Sequence, residues 1–158
     1  MKVGIIFGSK SDVDVMKGAA ECLKKFGIEY SAHVLSAHRV PELLEETLEK
    51  FEKEGYGVII AGAGLAAHLP GVIASKTVLP VIGVPIKSST LSGVDSLYSI
   101  VQMPAGVPVL TMAIGVAGAK NAAISALSIL GMTNENYEQK YLDFKKEQER
   151  IVLEEMKI

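Results

Sequence analysis

Short apolar runs at residues 3–7, 30–35, 58–61, 81–84 and 109–114 alternate with segments whose apolar residues recur at helical spacing, and this alternation leaves few folds open. After the first run, Val13, Met16, Ala20, Leu23 and Phe26 mark one helix face, which Gly27 terminates. Pro41 suits the first turn of a second helix, with Leu43, Leu44, Leu48 and Phe51 as its apolar face and Gly55 as its stop. A short helix is expected over 69–76, beginning around Pro70, another over 95–101, and an alanine-rich one over 121–130 before Gly131. Parallel neighbouring strands need crossover connections, and right-handed strand-helix-strand crossovers dominate. The pattern therefore predicts a central parallel sheet covered by helices.

The expected architecture is a single-domain α/β fold of three layers, flavodoxin-like, since 158 residues are too few for two independent cores. Residues 1–131 form the α/β body. Residues 132–158 form a helical extension rich in Lys and Glu, with Tyr137, Tyr141, Phe144 and Ile151 along one face, and this face is expected to pack on a neighbouring subunit.

Between Gly57 and Gly131 the only Lys, Arg, Asp or Glu residues are Lys76, Lys87, Asp95 and Lys120. That is too little charge for a monomer surface, so large subunit contacts and a homo-oligomer are expected. Two uncharged stretches, 55–75 and 96–119, have membrane-compatible length, but His68 and Pro70 interrupt the first and Gln102, Pro104, Gly106 and Pro108 the second. No membrane span is expected. A net charge of −2 offers no electrostatic reason to bind nucleic acid or an anionic bilayer. The lone Cys22 cannot form an intramolecular disulfide, and Met1-Lys2-Val3-Gly4-Ile5 reads as a strand and not a cleavable leader. Both features point to a reducing cytoplasm.

In a parallel sheet, ligands gather where strand carboxyl ends meet helix N-termini, which selects three loops. Gly8-Ser9-Lys10-Ser11-Asp12 can cradle a phosphate at the start of the first helix, or Ser11 or Asp12 can simply cap that helix. The Gly-rich spacings of nucleoside triphosphate and dinucleotide sites are absent. Ser36-Ala37-His38-Arg39-Val40-Pro41 joins a group that titrates near neutrality to a fixed cation. Arg39 can hold a phosphate or pair with Glu42. The third loop, from Ala61 through Ala63, Gly64 and Leu65 to His68, Leu69, Pro70 and Gly71, has few bulky polar side chains. It suits either backbone donors aimed at a small anionic group or tight strand-to-helix packing. His33 falls within a strand and His68 reads as satisfying local backbone. Cys22 reads as an inert buried thiol, and no metal-ligand spacing occurs.

Taken together, five ordered segments resemble the class I N5-carboxyaminoimidazole ribonucleotide mutases of purine biosynthesis. They are Gly8 to Asp12, Ser36 to Arg39, Ala61 to Gly64 with Ala66 to Gly71, Asp95 to Pro104, and Ala117 to Ala123. The resemblance implies that His38 is the general acid/base, that Ser9, Asp12 and Arg39 bind the ribonucleotide with Ser11 and Ser36 assisting, and that Ala63, Gly64, Leu65, His68 and Leu69 line the substrate site. It implies no cofactor and no metal. It further implies an octamer with active sites near subunit boundaries, the stretch around Gln102-Met103-Pro104 lying close to a neighbouring site. Two positions depart from the family pattern: Leu65 stands where glycine is common and Val40 where threonine is usual. Altered kinetics are expected from these, not different chemistry. The alternatives are a class II aminoimidazole ribonucleotide carboxylase that uses free carbon dioxide, and a non-catalytic module binding flavin or a nucleotide monophosphate.

Overall fold

The computed structural model describes residues 1–156. Five strands, β1 (Lys2–Phe7), β2 (Tyr30–Val34), β3 (Tyr56–Gly64), β4 (Val81–Ile86) and β5 (Leu110–Thr111), form one sheet in the order β2-β1-β3-β4-β5. Every pairing is parallel. The helices are α1 (Val13–Lys25), α2 (Pro41–Lys53), α3 (Leu69–Ala74), α4 (Val94–Val101), α5 (Val116–Gly131) and α6 (Glu135–Glu155), with a 3-10 turn at Lys10–Asp12. The layered α/β, flavodoxin-like fold is the expected one.

Successive strand residues point to opposite faces, and the two cores divide on that period. Val3, Ile5, Val58 and Ile60 face α1 and α5, meeting Met16, Leu23, Ala122 and Leu127. Ile6, Ile59 and Ala61 face the other way, onto Leu44, Leu48, Phe51, Ile73 and Ile100 from α2, α3 and α4. With both faces covered, β4 is buried along its whole length, which is why it reads as an uninterrupted apolar run.

Several boundaries differ from expectation. β3 runs to Gly64 and not to 61, so residues 62–64, read from sequence as loop, are strand paired with β4, which itself extends to Ile86 and not 84. β5 has two residues, not the six of 109–114: beyond Thr111 only the amides of Met112 and Gly115 reach β4, donating to Gly83 O (2.9 Å) and Pro85 O (2.8 Å). Pro85 has no N–H to return, so a regular ladder cannot continue past it. α5 begins at Val116 and not near residue 121, because its first turn lies close against the Ala113 carbonyl and Gly118 leaves room for that approach.

α6 is capped by the Asn134 side chain, which accepts from Tyr137 N at 3.2 Å. Tyr137, Tyr141 and Phe144 pack on this chain's own core. Phe144 meets Phe26 edge to face at 5.5 Å between ring centroids, and Lys140 Nζ donates to Phe26 O at 2.7 Å. The aromatic part of the face expected from sequence to pack on a neighbouring subunit thus meets this chain's own core, while Leu142, Ile151, Val152 and Leu153 of the same helix are exposed. No helix among the described residues is long and apolar enough to cross a membrane.

Candidate active site

Because β1 to β4 run parallel, their carboxyl ends open on one edge of the sheet, where a cleft of about 680 Å³ forms. Ser9, Ser11, Asp12, Ser36, His38, Arg39, Ala63, Gly64, Leu65, His68 and Leu69 all line it, so the three loops selected from sequence meet in one place.

In the first loop, Ser9 and Asp12 cap each other. Ser9 N donates to Asp12 Oδ2 at 3.1 Å, Ser9 Oγ accepts from Ser11 N at 3.3 Å, and Ser11 Oγ donates to Asp12 Oδ1 at 3.3 Å. Asp12 is only 8% exposed, and this burial raises its carboxyl above the ordinary value, against the lowering effect of the bonds from Ser11 and Ser9. The capping box closes the 3-10 turn with Ser9 as its N-cap; Asp12 precedes α1 but makes no side-chain cap bond to it, so the expected cap of that helix by Ser11 or Asp12 is not formed, and the loop is a cleft wall.

The second loop is a turn closed by Arg39 N and Val40 N donating to Ser36 O at 3.2 and 3.0 Å. The Arg39 guanidinium reaches the first loop and donates to Gly8 O at 2.9 Å, not to Glu42. That single bond holds a planar cation beside the Ser9–Asp12 turn and leaves its other N–H groups for a ligand.

His38 Nε2 lies 2.8 Å from His68 Nδ1, with the rings near perpendicular at 87°. Two imidazole nitrogens at this distance share one proton, one donating and the other accepting. His68, read from sequence as serving local backbone, makes no cap bond at the start of α3 and pairs with a histidine thirty positions earlier instead. A proton on one ring can be replaced through the other, a useful property in a group that both gives and takes protons.

The third loop turns sharply, with Ala67 N donating to Gly64 O at 3.0 Å, and it places two non-glycine residues at positive φ, Leu65 at 56° and Ala67 at 38°. Left-handed backbone costs an L-residue roughly 1–2 kcal/mol. Leu65 is 63% exposed, so its side chain recovers little of this by burial. Leu65→Gly should accordingly raise stability by about 0.5–1 kcal/mol net of glycine's entropy cost, measured by urea unfolding. A loss of stability would show that the leucine side chain holds the loop.

Outside the cleft, His33 Nε2 lies 2.9 Å from Ser31 Oγ and the ring leans on Phe51. Burial, with Lys50 nearby, lowers its pKa below the usual imidazole value. The neutral form is thus favoured on folding, so its contribution to stability is present above the unfolded pKa of about 6.5 and is lost as pH falls from there through the lowered folded value. His33→Gln should flatten the fall in unfolding stability between pH 7 and pH 5.5 relative to the parent. An identical slope in both proteins would remove His33 as a cause. Cys22 is half-buried with its pKa raised by burial, as an inert thiol should be. No cluster of metal-ligating side chains occurs among the described residues.

Ile86, Lys87, Ser88 and Ser89 also line the cleft and were not singled out from sequence. A signal for them existed: they follow β4, and Lys87 is one of only four charged residues in the charge-poor centre.

The chain is similar to proteins of known family. Residues 2–150 match the family described as AIR carboxylase. Similar relatives named N5-carboxyaminoimidazole ribonucleotide mutase include those of Vibrio vulnificus, 58% identical over 97% of this chain and 95% of the relative, and Escherichia coli K12, 54% identical over 97% and 90%. The solved PurE of Treponema denticola superposes with a TM-score of 0.88 at 27% identity, covering 96% of this chain and 94% of that one. With a family match across nearly the whole chain, relatives above half identity and the same overall fold, the chain belongs to the AIR carboxylase family.

Proposed function

We propose that this chain is an N5-carboxyaminoimidazole ribonucleotide mutase, an isomerase of purine biosynthesis that moves a carboxylate from the exocyclic nitrogen to ring carbon 4. The observation that carries the reading is the meeting of the Ser9–Asp12 turn, Arg39, the His38–His68 pair and the Ala63–Leu65 segment in one cleft. The relatives' shared name supports it.

The substrate's phosphate sits against the Ser9–Asp12 turn and the Arg39 guanidinium, with Ser11 and Ser36 adding hydroxyls. His38 donates a proton to the nitrogen as the N–C bond of the carbamate breaks, and the bond's electron pair stays on nitrogen, releasing carbon dioxide. The Ala63-Gly64-Leu65 turn, with Leu69 behind it, confines the gas and keeps water out. Carbon 4 then attacks carbon dioxide, forming the new C–C bond, and His38 removes the carbon 4 proton to restore aromaticity. His68 orients His38 throughout. The proton balance closes on one group, so no cofactor or metal is required.

In this reading the protein works in the cytoplasm as a homo-octamer. Tyr98, Val101, Leu110 and Val116 are between 45% and 62% exposed in the single chain, apolar surface suited to subunit contacts. Light scattering should give about eight times the 16.8 kDa chain mass; a monomer would refute the assembly.

The activity is tested by supplying each ribonucleotide to the purified protein. Turnover of the carbamate without added bicarbonate is expected. Product formation only from aminoimidazole ribonucleotide with bicarbonate would assign the class II carboxylase reaction instead.

A further inference from the structure

We infer that Lys87 is a second anion contact in this cleft, holding the migrating carboxylate from the side opposite Arg39, and so sets substrate affinity more than turnover. The inference rests on the proposed mutase reading and adds to it a residue and a division of labour.

Three observations carry it. Lys87 lines the cleft, is exposed, and takes part in none of the ion pairs among the described residues. A cation inside a ligand-sized cleft with no protein partner is available to an anionic ligand. Second, the sheet places it beside the third loop. Gly64 of β3 is in register with Ile86 of β4, one strand spacing or ~5 Å away, and Leu65 and Lys87 are the next residues of the two strands' exits. β1, whose end carries the Ser9–Asp12 turn and the Gly8 carbonyl that Arg39 bonds, lies two spacings from β4, roughly 10 Å. Thus the ligand group nearest Lys87 is the one held at the third loop, and the phosphate at the β1 and β2 ends is remote. Third, the backbone that carries Lys87 is fixed on its far side. Ser88 Oγ donates to Asp95 Oδ2 at 3.1 Å, and Gly93, at φ 90°, lies so close to Lys87 that a Cβ there would stand 3.2 Å from the lysine Cα.

The charge logic separates binding from chemistry. The carboxylate is anionic in both substrate and product, but carbon dioxide between them is neutral. A fixed cation therefore stabilises the two bound ground states more than the transition states leading to the gas. Removing it weakens binding without slowing the chemical step.

The test is Lys87→Gln, with Lys87→Arg as the conservative partner and thermal unfolding to establish that both remain folded. KM for the carbamate should rise about tenfold in Lys87→Gln with kcat unchanged or higher, and Lys87→Arg should restore most of the affinity. Binding of aminoimidazole ribonucleotide, which keeps the phosphate and lacks the carboxylate, should change less than twofold. Equal weakening of both ligands would place Lys87 on the phosphate, and a fall in kcat at constant KM would place it in the chemistry; either result overturns the inference. So does an unchanged KM. If the parent protein binds the ribonucleotides but turns over only the bicarbonate reaction, the mutase reading fails while the comparison of carboxylated and uncarboxylated ligands still judges Lys87.

Discussion

Replacing His38 by Asn should lower kcat on the order of 10²–10⁴-fold, the range typical for loss of a positioned general acid/base, while leaving the protein folded. Asparagine is close in shape and can keep a hydrogen bond toward His68, but it cannot carry a proton between nitrogen and carbon 4. Both halves of the proposed reaction fail together, so no aminoimidazole ribonucleotide should accumulate from the carbamate beyond its spontaneous loss of carbon dioxide. Ribonucleotide affinity should change little, because the proposed phosphate contacts are Ser9, Asp12 and Arg39 and not His38. Steady-state rates and a binding titration on the same preparation check this. A variant that keeps a tenth of the parent's kcat would remove His38 from the proton path.

The largest effect on stability is expected at Gly118. A Cβ built there falls well inside contact distance of the Ala113 carbonyl oxygen and carbon, and both belong to backbone, not to a side chain that can swing away. Gly118→Ala must therefore push the first turn of α5 off the segment that leads into it. α5 is the helix that buries Ala119, Ala122, Ala123, Ala126 and Leu127 against the sheet and α1. Overpacking of this kind costs about 1–3 kcal/mol, and in a chain of this size should lower Tm by roughly 3–10 °C. Alanine's better helix propensity offsets about 1 kcal/mol of that at most. An unchanged Tm would show that the Ala113 segment yields freely.

How far the site could be read in advance depended on whether a residue's role is local. Ser9 and Asp12 form a reciprocal cap within one turn; a cap in this loop was expected from spacing, but on Ser11 or Asp12 and not on Ser9. Arg39 stands three residues from Glu42, and local spacing suggested an ion pair; its actual partner is a carbonyl in another loop, at Gly8. His68 misled for the same reason. Its partner is thirty residues away, and nothing in the intervening sequence reports that the two loops meet. Lys87 was visible as an isolated charge but had no assigned place until β4 was set beside β3. Leu65 was rightly singled out as a residue in a glycine's position, and its φ of 56° puts a physical quantity on that departure.

The alternation of apolar strands and amphipathic helices is a property of nearest neighbours along the chain. It was sufficient for the parallel layered sheet and for the rule that chemistry gathers at the strand ends. Burial of both sheet faces was equally legible in β1, β3 and β4, whose apolar runs do not alternate, whereas the edge strand β2 alternates in exposure. The order β2-β1-β3-β4-β5 is what the alternation leaves open, and it alone brings His38 onto His68, Arg39 onto Gly8 and Lys87 beside Leu65. The aromatic face of α6 shows the same division. Its amphipathic period was plain in the residues, but whether it covers this chain or another depended on α1 and α5 leaving a groove at Phe26 of the right shape to receive Phe144. Periodicity records which faces avoid water; it does not record what they meet, because contact partners are chosen by packing across long loops and not by the spacing of residues.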